Sequence, residues 1–173
     1  MSTCLKLTFV IICIGLFSGC AEQPRPTQLS AGWPNPRRLQ HVRTTAYARG
    51  EDGGRGNAVG TTLSNSKCRS AASDWSVFPL GTRFRVVGTK DEYVIDDYGT
   101  ALIGTNTIDL HKPSRLEMKR WGVRHVDIDI LEWGSDAKSL RVLVPRSKHR
   151  SVHRMIVALQ KKALGRNLAR AVD

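Results

Sequence analysis

Three aspartates stand where an apolar or turn-forming residue would be the ordinary choice. Asp97 follows Asp96 at the end of the apolar run Tyr93, Val94, Ile95, and Asp109 lies between Ile108 and Leu110. Asp74 precedes a turn marked by Pro79 and Gly81. Burial or a nearby like charge raises a carboxyl pKa, which lets the group hold a proton at working pH and act as a general acid. Asp109, flanked by Ile108 and Leu110, suits that role, with Asp97 as a second carboxylate that raises its pKa or orients it. A structural reading stands beside this one. Aspartate side chains stabilise turns, and Asp97 before Tyr98 and Gly99 could do only that. Asp74 is expected to hold its loop through backbone hydrogen bonds rather than touch a substrate. Asp96, next to Asp97 on one strand, is expected on the opposite face and in solvent.

The elements that must position these acids are mostly short strands. Apolar alternation marks residues 42–48, 83–88, 92–95, 107–110 and 125–131, with Val126, Ile128 and Ile130 alternating with Asp127 and Asp129. Residues 139–144 (SLRVLV) read as one more strand. A short helix is expected over 113–121, with Pro113 in its first turn and Leu116, Arg120 and Trp121 folding one face onto the core. Gly-rich residues 49–60 form a connection rather than a phosphate cradle, since the lysine and helix of such a loop are missing.

The C-terminal part changes period. Val152, Met155, Ile156, Leu159, Ala163 and Leu164 recur at helical spacing, and Arg154, Lys161, Lys162, Arg166 and Arg170 cover the other side, so 151–171 reads as a basic amphipathic helix. Either it packs its stripe on the barrel or on a second copy, or it lies on an anionic membrane surface. Because the strands and acids all precede it, the barrel is expected to fold without it.

The N-terminus predicts export. Lys6 and the apolar run 7–17 precede the small residues Ser18 and Gly19, so 1–19 reads as a signal peptide. Of the four cysteines, Cys4 and Cys13 would leave with it and Cys20 follows it, leaving Cys68 alone in "NSKCRS", which reads as loop. The stretch 20–40 holds four of the seven prolines and reads as a tether. The remaining boundaries fall at 41–145 for the domain and 146–173 for the basic C-terminal segment. The five histidines show no ligand-like spacing with a cysteine, so neither a metal nor a cofactor is expected. A net charge of +12 calls for anionic partners. In an exported protein these are lipid head groups and wall polymers rather than nucleic acid.

"LFSGC", ending at Cys20, resembles the bacterial lipobox, which implies lipidation of Cys20 and a membrane anchor. Ala21 resembles the pattern that sends lipoproteins to the outer membrane, here its periplasmic face. The ordered motifs "TAY" (45–47), "AASDWSVFPLGT" (71–82), "VIDDYGTALIG" (94–104), "IDL" (108–110) and "WGVRHVDIDIL" (121–131) resemble the 3D domain, named for three aspartates. That family includes membrane-bound lytic transglycosylase A. The resemblance implies a mainly β fold, a six-stranded double-psi β-barrel, here with a short helix and a C-terminal amphipathic helix. Its three aspartates fall on Asp74, Asp97 and Asp109, with Tyr47, Gly99 and Thr100 as supporting or substrate-binding positions. The family usually has a second glycine where this chain has Thr100 and often a proline at Trp75.

What the resemblance implies is a lytic transglycosylase acting on peptidoglycan glycan strands. One carboxylic acid protonates the oxygen between N-acetylmuramic acid and N-acetylglucosamine. It then takes the proton of the muramic acid 6-hydroxyl as an anhydro ring closes. The transglycosylase forms its groove with an additional domain that this chain is expected to lack, which leaves room for an envelope protein partner. Two neighbouring readings remain: a non-catalytic wall binder of the expansin-like kind, and a rare lipoprotein A-like barrel, which would have Asp-Arg-Gly-Pro in place of "DDYGT". The anchor is testable on its own. Cys20→Ser is expected to leave the protein soluble or unprocessed in cell fractionation, and membrane association at the wild-type level would make the C-terminal helix the anchor.

Overall fold

The computed structural model describes residues 37–48, 56–63 and 68–172, with side chains to 169. Cys20, the expected lipidation position, and the expected signal segment 1–19 lie outside the described residues. Six strands close into a barrel in the order β1-β5-β2-β4-β3-β6. They are β1 (Arg37–Ala48), β2 (Cys68–Ala72), β3 (Arg83–Val86), β4 (Glu92–Asp97), β5 (Ile108–Lys112) and β6 (Arg124–Glu132). The pairs β1·β5 and β2·β4 are parallel and the other four antiparallel, consistent with a double-psi barrel.

Side-chain alternation fixes which way each strand faces. Phe84 and Val86 on β3, Tyr93 and Ile95 on β4, Ile108 and Leu110 on β5, and Ile128 and Ile130 on β6 are buried in one cluster with Trp75 and Phe78. The alternate positions carry the charges: Arg85 with Glu92, and Arg38 with Asp129. Lys112 is buried near Tyr93 and Trp121. Its ammonium donates to the Tyr93 hydroxyl at 2.7 Å and sits 3.9 Å from the Trp121 ring centre, which offsets part of its desolvation.

Several elements depart from the sequence reading. β1 begins at Arg37, so the last four residues of the stretch read as a tether are strand paired to β6. β2 was not visible in "CRSAA", which has no apolar run, yet it sits between β4 and β5. Cys68, read as loop, opens this strand, and burial pushes its thiol up, away from the thiolate a nucleophile needs. Residues 139–144, read as a strand, fall in α2 (Asp136–Leu143) and the turn that follows. Ser135 caps that helix by accepting from the Lys138 N–H, and Leu143 is buried through helical rather than alternating spacing. Helix α1 (Arg115–Trp121) is capped by Ser114, so Pro113 stands before it; Leu116 is exposed and only Trp121 reaches the core.

Helix α3 (Arg150–Val172) resolves the choice posed by its sequence for its first half. Val152, Met155, Ile156 and Leu159 are buried in the same cluster as the strands, whereas Leu164 and Leu168 are exposed. That stripe makes α3 part of the core, against the expectation that the barrel would stand without it. Lys162 and Arg166 pair with Asp136 of α2. Among the described residues no helix is long and apolar enough to cross a membrane. Met155→Ala, which opens a cavity at a fully buried site, is expected to cost about 2–5 kcal/mol in denaturant unfolding. Truncation after Arg150 is expected to broaden or abolish the cooperative transition.

Candidate functional site

The site is built on one irregularity of pairing. On β2, Ala71 is opposite Ile95 of β4, but the next residue, Ala72, is opposite Asp97, so β4 carries an extra residue at Asp96. A bulge of this kind resets the alternation. Asp97 thereby shares the face of Ala72, and Asp96 stays on that face with Ser70. The expectation that Asp96 points the other way into solvent is therefore wrong: its Oδ2 accepts from the Ser70 hydroxyl at 2.7 Å and the Asn57 side-chain amide at 2.8 Å. Its Oδ1 is buried without a hydrogen-bond partner among the described residues.

On the other side of β2, Ala72 is opposite Asp109 of β5, which in turn is opposite Thr45 of β1. Asp97, Ala72, Asp109 and Thr45 thus form one row across four strands. Two strand spacings, about 10 Å, separate the Cα atoms of the two acids, with only the Ala72 methyl on the strand between them. The Thr45 hydroxyl donates to Asp109 Oδ1 at 2.6 Å. Asp97 Oδ1 accepts the backbone N–H groups of Ala58 and Tyr98 at 3.0 and 2.8 Å. The 56–63 segment is tied to both adjacent acids, and Asn57 organises it: its Oδ1 accepts from the Val59 and Thr61 N–H groups while its amide reaches Asp96.

Tyr47 lies two residues beyond Thr45 and so on the same face. Its ring meets His111 of β5 with centres 5.2 Å apart. Burial, and then the carboxylates of Asp97, Asp96 and Asp109 in that order, push its phenol far above its usual range. The hydroxyl is buried with no hydrogen-bond partner among the described residues, the kind of orphan that calls for a functional explanation. Burial also raises Asp97 and Asp96 above the ordinary aspartate value, against hydrogen bonds that lower each.

Asp74 behaves differently. It is almost fully buried, and its carboxylate is occupied by the Ser76 N–H and hydroxyl on Oδ1 and by the Gly104 N–H on Oδ2. It clamps two loops beside the acid row rather than joining it. Gly99 and Thr100 follow Tyr98 into a single 3-10 turn (Thr100–Leu102), where Gly99 lies so near the Leu102 side chain that a Cβ would press on it at 3.2 Å. Thr100 is exposed and bonds to neither carboxylate among the described residues. Of the residues singled out in the sequence, the structure brings Tyr47, Asp97 and Asp109 onto one face. The sequence reading missed Asp96, Asn57, Ser70 and Thr45 as their partners. Thr45 alone carried a signal, being two residues from Tyr47 on one strand face.

The barrel is closed and carries a row of half-buried carboxylates on one outer face. Residues 69–132, from within β2 to the end of β6 and including all three aspartates, match the model of the 3D domain. β1, with Thr45 and Tyr47, lies outside the matched residues. Among curated proteins, the chain is 36% identical over 92 residues to a protein named cell wall-binding protein YocH of Bacillus subtilis (strain 168). That match spans 52% of this chain and 31% of the relative's length. A solved structure that resembles part of the chain is the Streptomyces papain inhibitor, at 15% identity and a TM-score of 0.38, over 57% of this chain and 98% of that one.

The raised acids have a consequence for stability. A folded-state pKa above the ordinary 3.8 means that the folded chain keeps protons the unfolded chain has released. Stability from these groups therefore falls as pH rises from about 4 through the raised values. Glu92 and Asp129, lowered by hydrogen bonds from Arg85 and Arg38, act in the opposite sense, so the comparison must be with a variant. Asp96→Asn is expected to remove part of the decline, so that its stability relative to wild type grows between pH 4 and pH 7 in denaturant melts.

Proposed function

We propose that this protein is a peptidoglycan lytic transglycosylase, with Asp109 as general acid and then base and Asp97 as the supporting carboxylate. The observation that carries the reading is the row Asp97, Ala72, Asp109, with Asp96 beside it and Tyr47 perturbed by all three acids. In the reaction, the Asp109 carboxyl gives its proton to the glycosidic oxygen as the bond from C1 of N-acetylmuramic acid breaks. The 6-hydroxyl oxygen of the same sugar bonds to C1, and its proton returns to Asp109. One carboxyl group begins and ends the cycle protonated. The Thr45 hydroxyl holds Asp109 in place. Asp74 shapes the loops. No cofactor enters this chemistry.

Export, lipidation at Cys20 and a tether would hold the domain at the periplasmic face of the outer membrane, within reach of glycan strands. An envelope partner would complete the groove. The second reading, a non-catalytic glycan binder, is favoured by the name of the Bacillus relative, a cell wall-binding protein.

Purified protein incubated with peptidoglycan is expected to release anhydro-muropeptides detectable by mass spectrometry. Asp109→Asn, which keeps the shape but neither gives nor recovers a proton, is expected to lose on the order of a hundredfold or more in rate. Asp97→Asn is expected to be damaged less. The reverse order would exchange the two roles, a product without the anhydro mass would mean hydrolysis, and no product from the wild type would favour the binder.

A further inference from the structure

A cavity of about 610 Å³, within the range of ligand sites, is lined in part by Arg43 and Thr107. Arg43 stands two residues before Thr45 on β1 and so shares its face by strand alternation, and Thr107 stands two residues before Asp109, just ahead of β5. The Arg43 guanidinium donates to the Thr107 hydroxyl at 3.1 Å, which joins the row to the cavity wall. Thr107 is about 7 Å along the chain from Asp109, a distance on the scale of one or two sugar units.

The far wall of the cavity includes Trp133. This indole is 45% exposed, although its ring lies nearly parallel to that of buried Phe78, at 8° with centres 6.4 Å apart. Its backbone is fixed by the next residue. A Cβ on Gly134 would come within 2.3 Å of the Pro79 carbonyl, and the Gly134 N–H donates to the Thr82 hydroxyl at 3.0 Å. Trp133 is thus a flat aromatic surface held in advance. Polar groups line the same cavity: Arg43, Asn106 and His41. His41 has a left-handed backbone with φ 56°, held by its N–H on Asp127 Oδ1 and by stacking on His125 at 4.3 Å. Such local strain in a non-glycine residue persists only where its surroundings enforce it.

An aromatic platform bordered by a guanidinium and amides matches a pyranose ring, which has an apolar C–H face and a polar rim. We propose that the Trp133 cavity is a saccharide subsite that holds a sugar of the same glycan strand whose linkage lies at Asp97 and Asp109. This rests on the glycan reading of the acid row, and it adds a binding residue outside that row. Arg43 is suited to a carboxylate carried by the sugar or its substituent.

Chitohexaose, a soluble β-1,4-linked N-acetylglucosamine oligomer, tests the subsite by isothermal titration calorimetry on the full chain. Trp133→Ala is expected to weaken binding about tenfold or more, as for an aromatic anchor. Trp133→Phe is expected to restore part of it, with both variants melting like the wild type. Equal affinity in wild type and Trp133→Ala overturns the subsite; the acid-row reading then survives if the Asp97 and Asp109 variants still alter action on peptidoglycan. A wild type that binds neither chitohexaose nor peptidoglycan overturns both. Trp133-dependent capture of an apolar peptide in place of chitohexaose also overturns it.

Discussion

The extra residue in β4 opposite the Ala71–Ala72 step governs the face on which the chemistry would occur. Without it, strict alternation would send Asp97 inward with Ile95 and leave Asp96 alone on the outer face. With it, two consecutive carboxylates share that face with Asp109. The fold tolerates this because each acid is given donors: Ser70 and Asn57 for Asp96, the Ala58 and Tyr98 N–H groups for Asp97, and Thr45 for Asp109. The donors do not fully offset burial, and Asp96 and Asp97 remain raised. A site that costs stability and perturbs a half-buried tyrosine in this way has the electrostatic character of functional sites.

The rest of the molecule supports that face from behind. Ile95, Leu110 and Ala71, the inward neighbours of the acid row, pack in the same core to which α3 contributes Met155 and Leu159. Trp75 braces the end of β4, since its indole N–H donates to the Asp97 carbonyl at 2.8 Å while its ring meets Tyr98 edge-on. Asp74, one residue before it, fixes the loop that returns at Gly104. The three aspartates therefore divide the work: two on the face, one in the scaffold that fixes it.

Much of this was legible in the sequence, and what was not has a physical reason. Strands with a buried side and a charged side, such as β6 with Ile128 and Ile130 against Asp127 and Asp129, announce themselves through alternation. β2 does not, because its buried residues are serine and alanines whose position depends on strands distant in sequence. The 139–144 segment was misread because a short apolar run suits either period, and the Ser135 cap decided for helix. Asp109 and Asp97 stood out as acids in apolar company. The placement of Asp96 could not be read, since a bulge is set by pairing with a partner strand. Asn57 lay hidden in a Gly-rich connection for the same reason.

The central claim, that three carboxylates are gathered on one partly desolvated face, is tested most directly by their titration. Carbon-13 NMR of the aspartate carboxyl groups, assigned with single Asn variants, is expected to show Asp96 and Asp97 titrating above the ordinary aspartate value. The Cζ resonance of Tyr47 is expected to show its phenol remaining protonated well beyond the usual range. Ordinary titration of Asp96, Asp97 and Tyr47 would mean that the face is open to solvent and the acids independent, and would contradict the account.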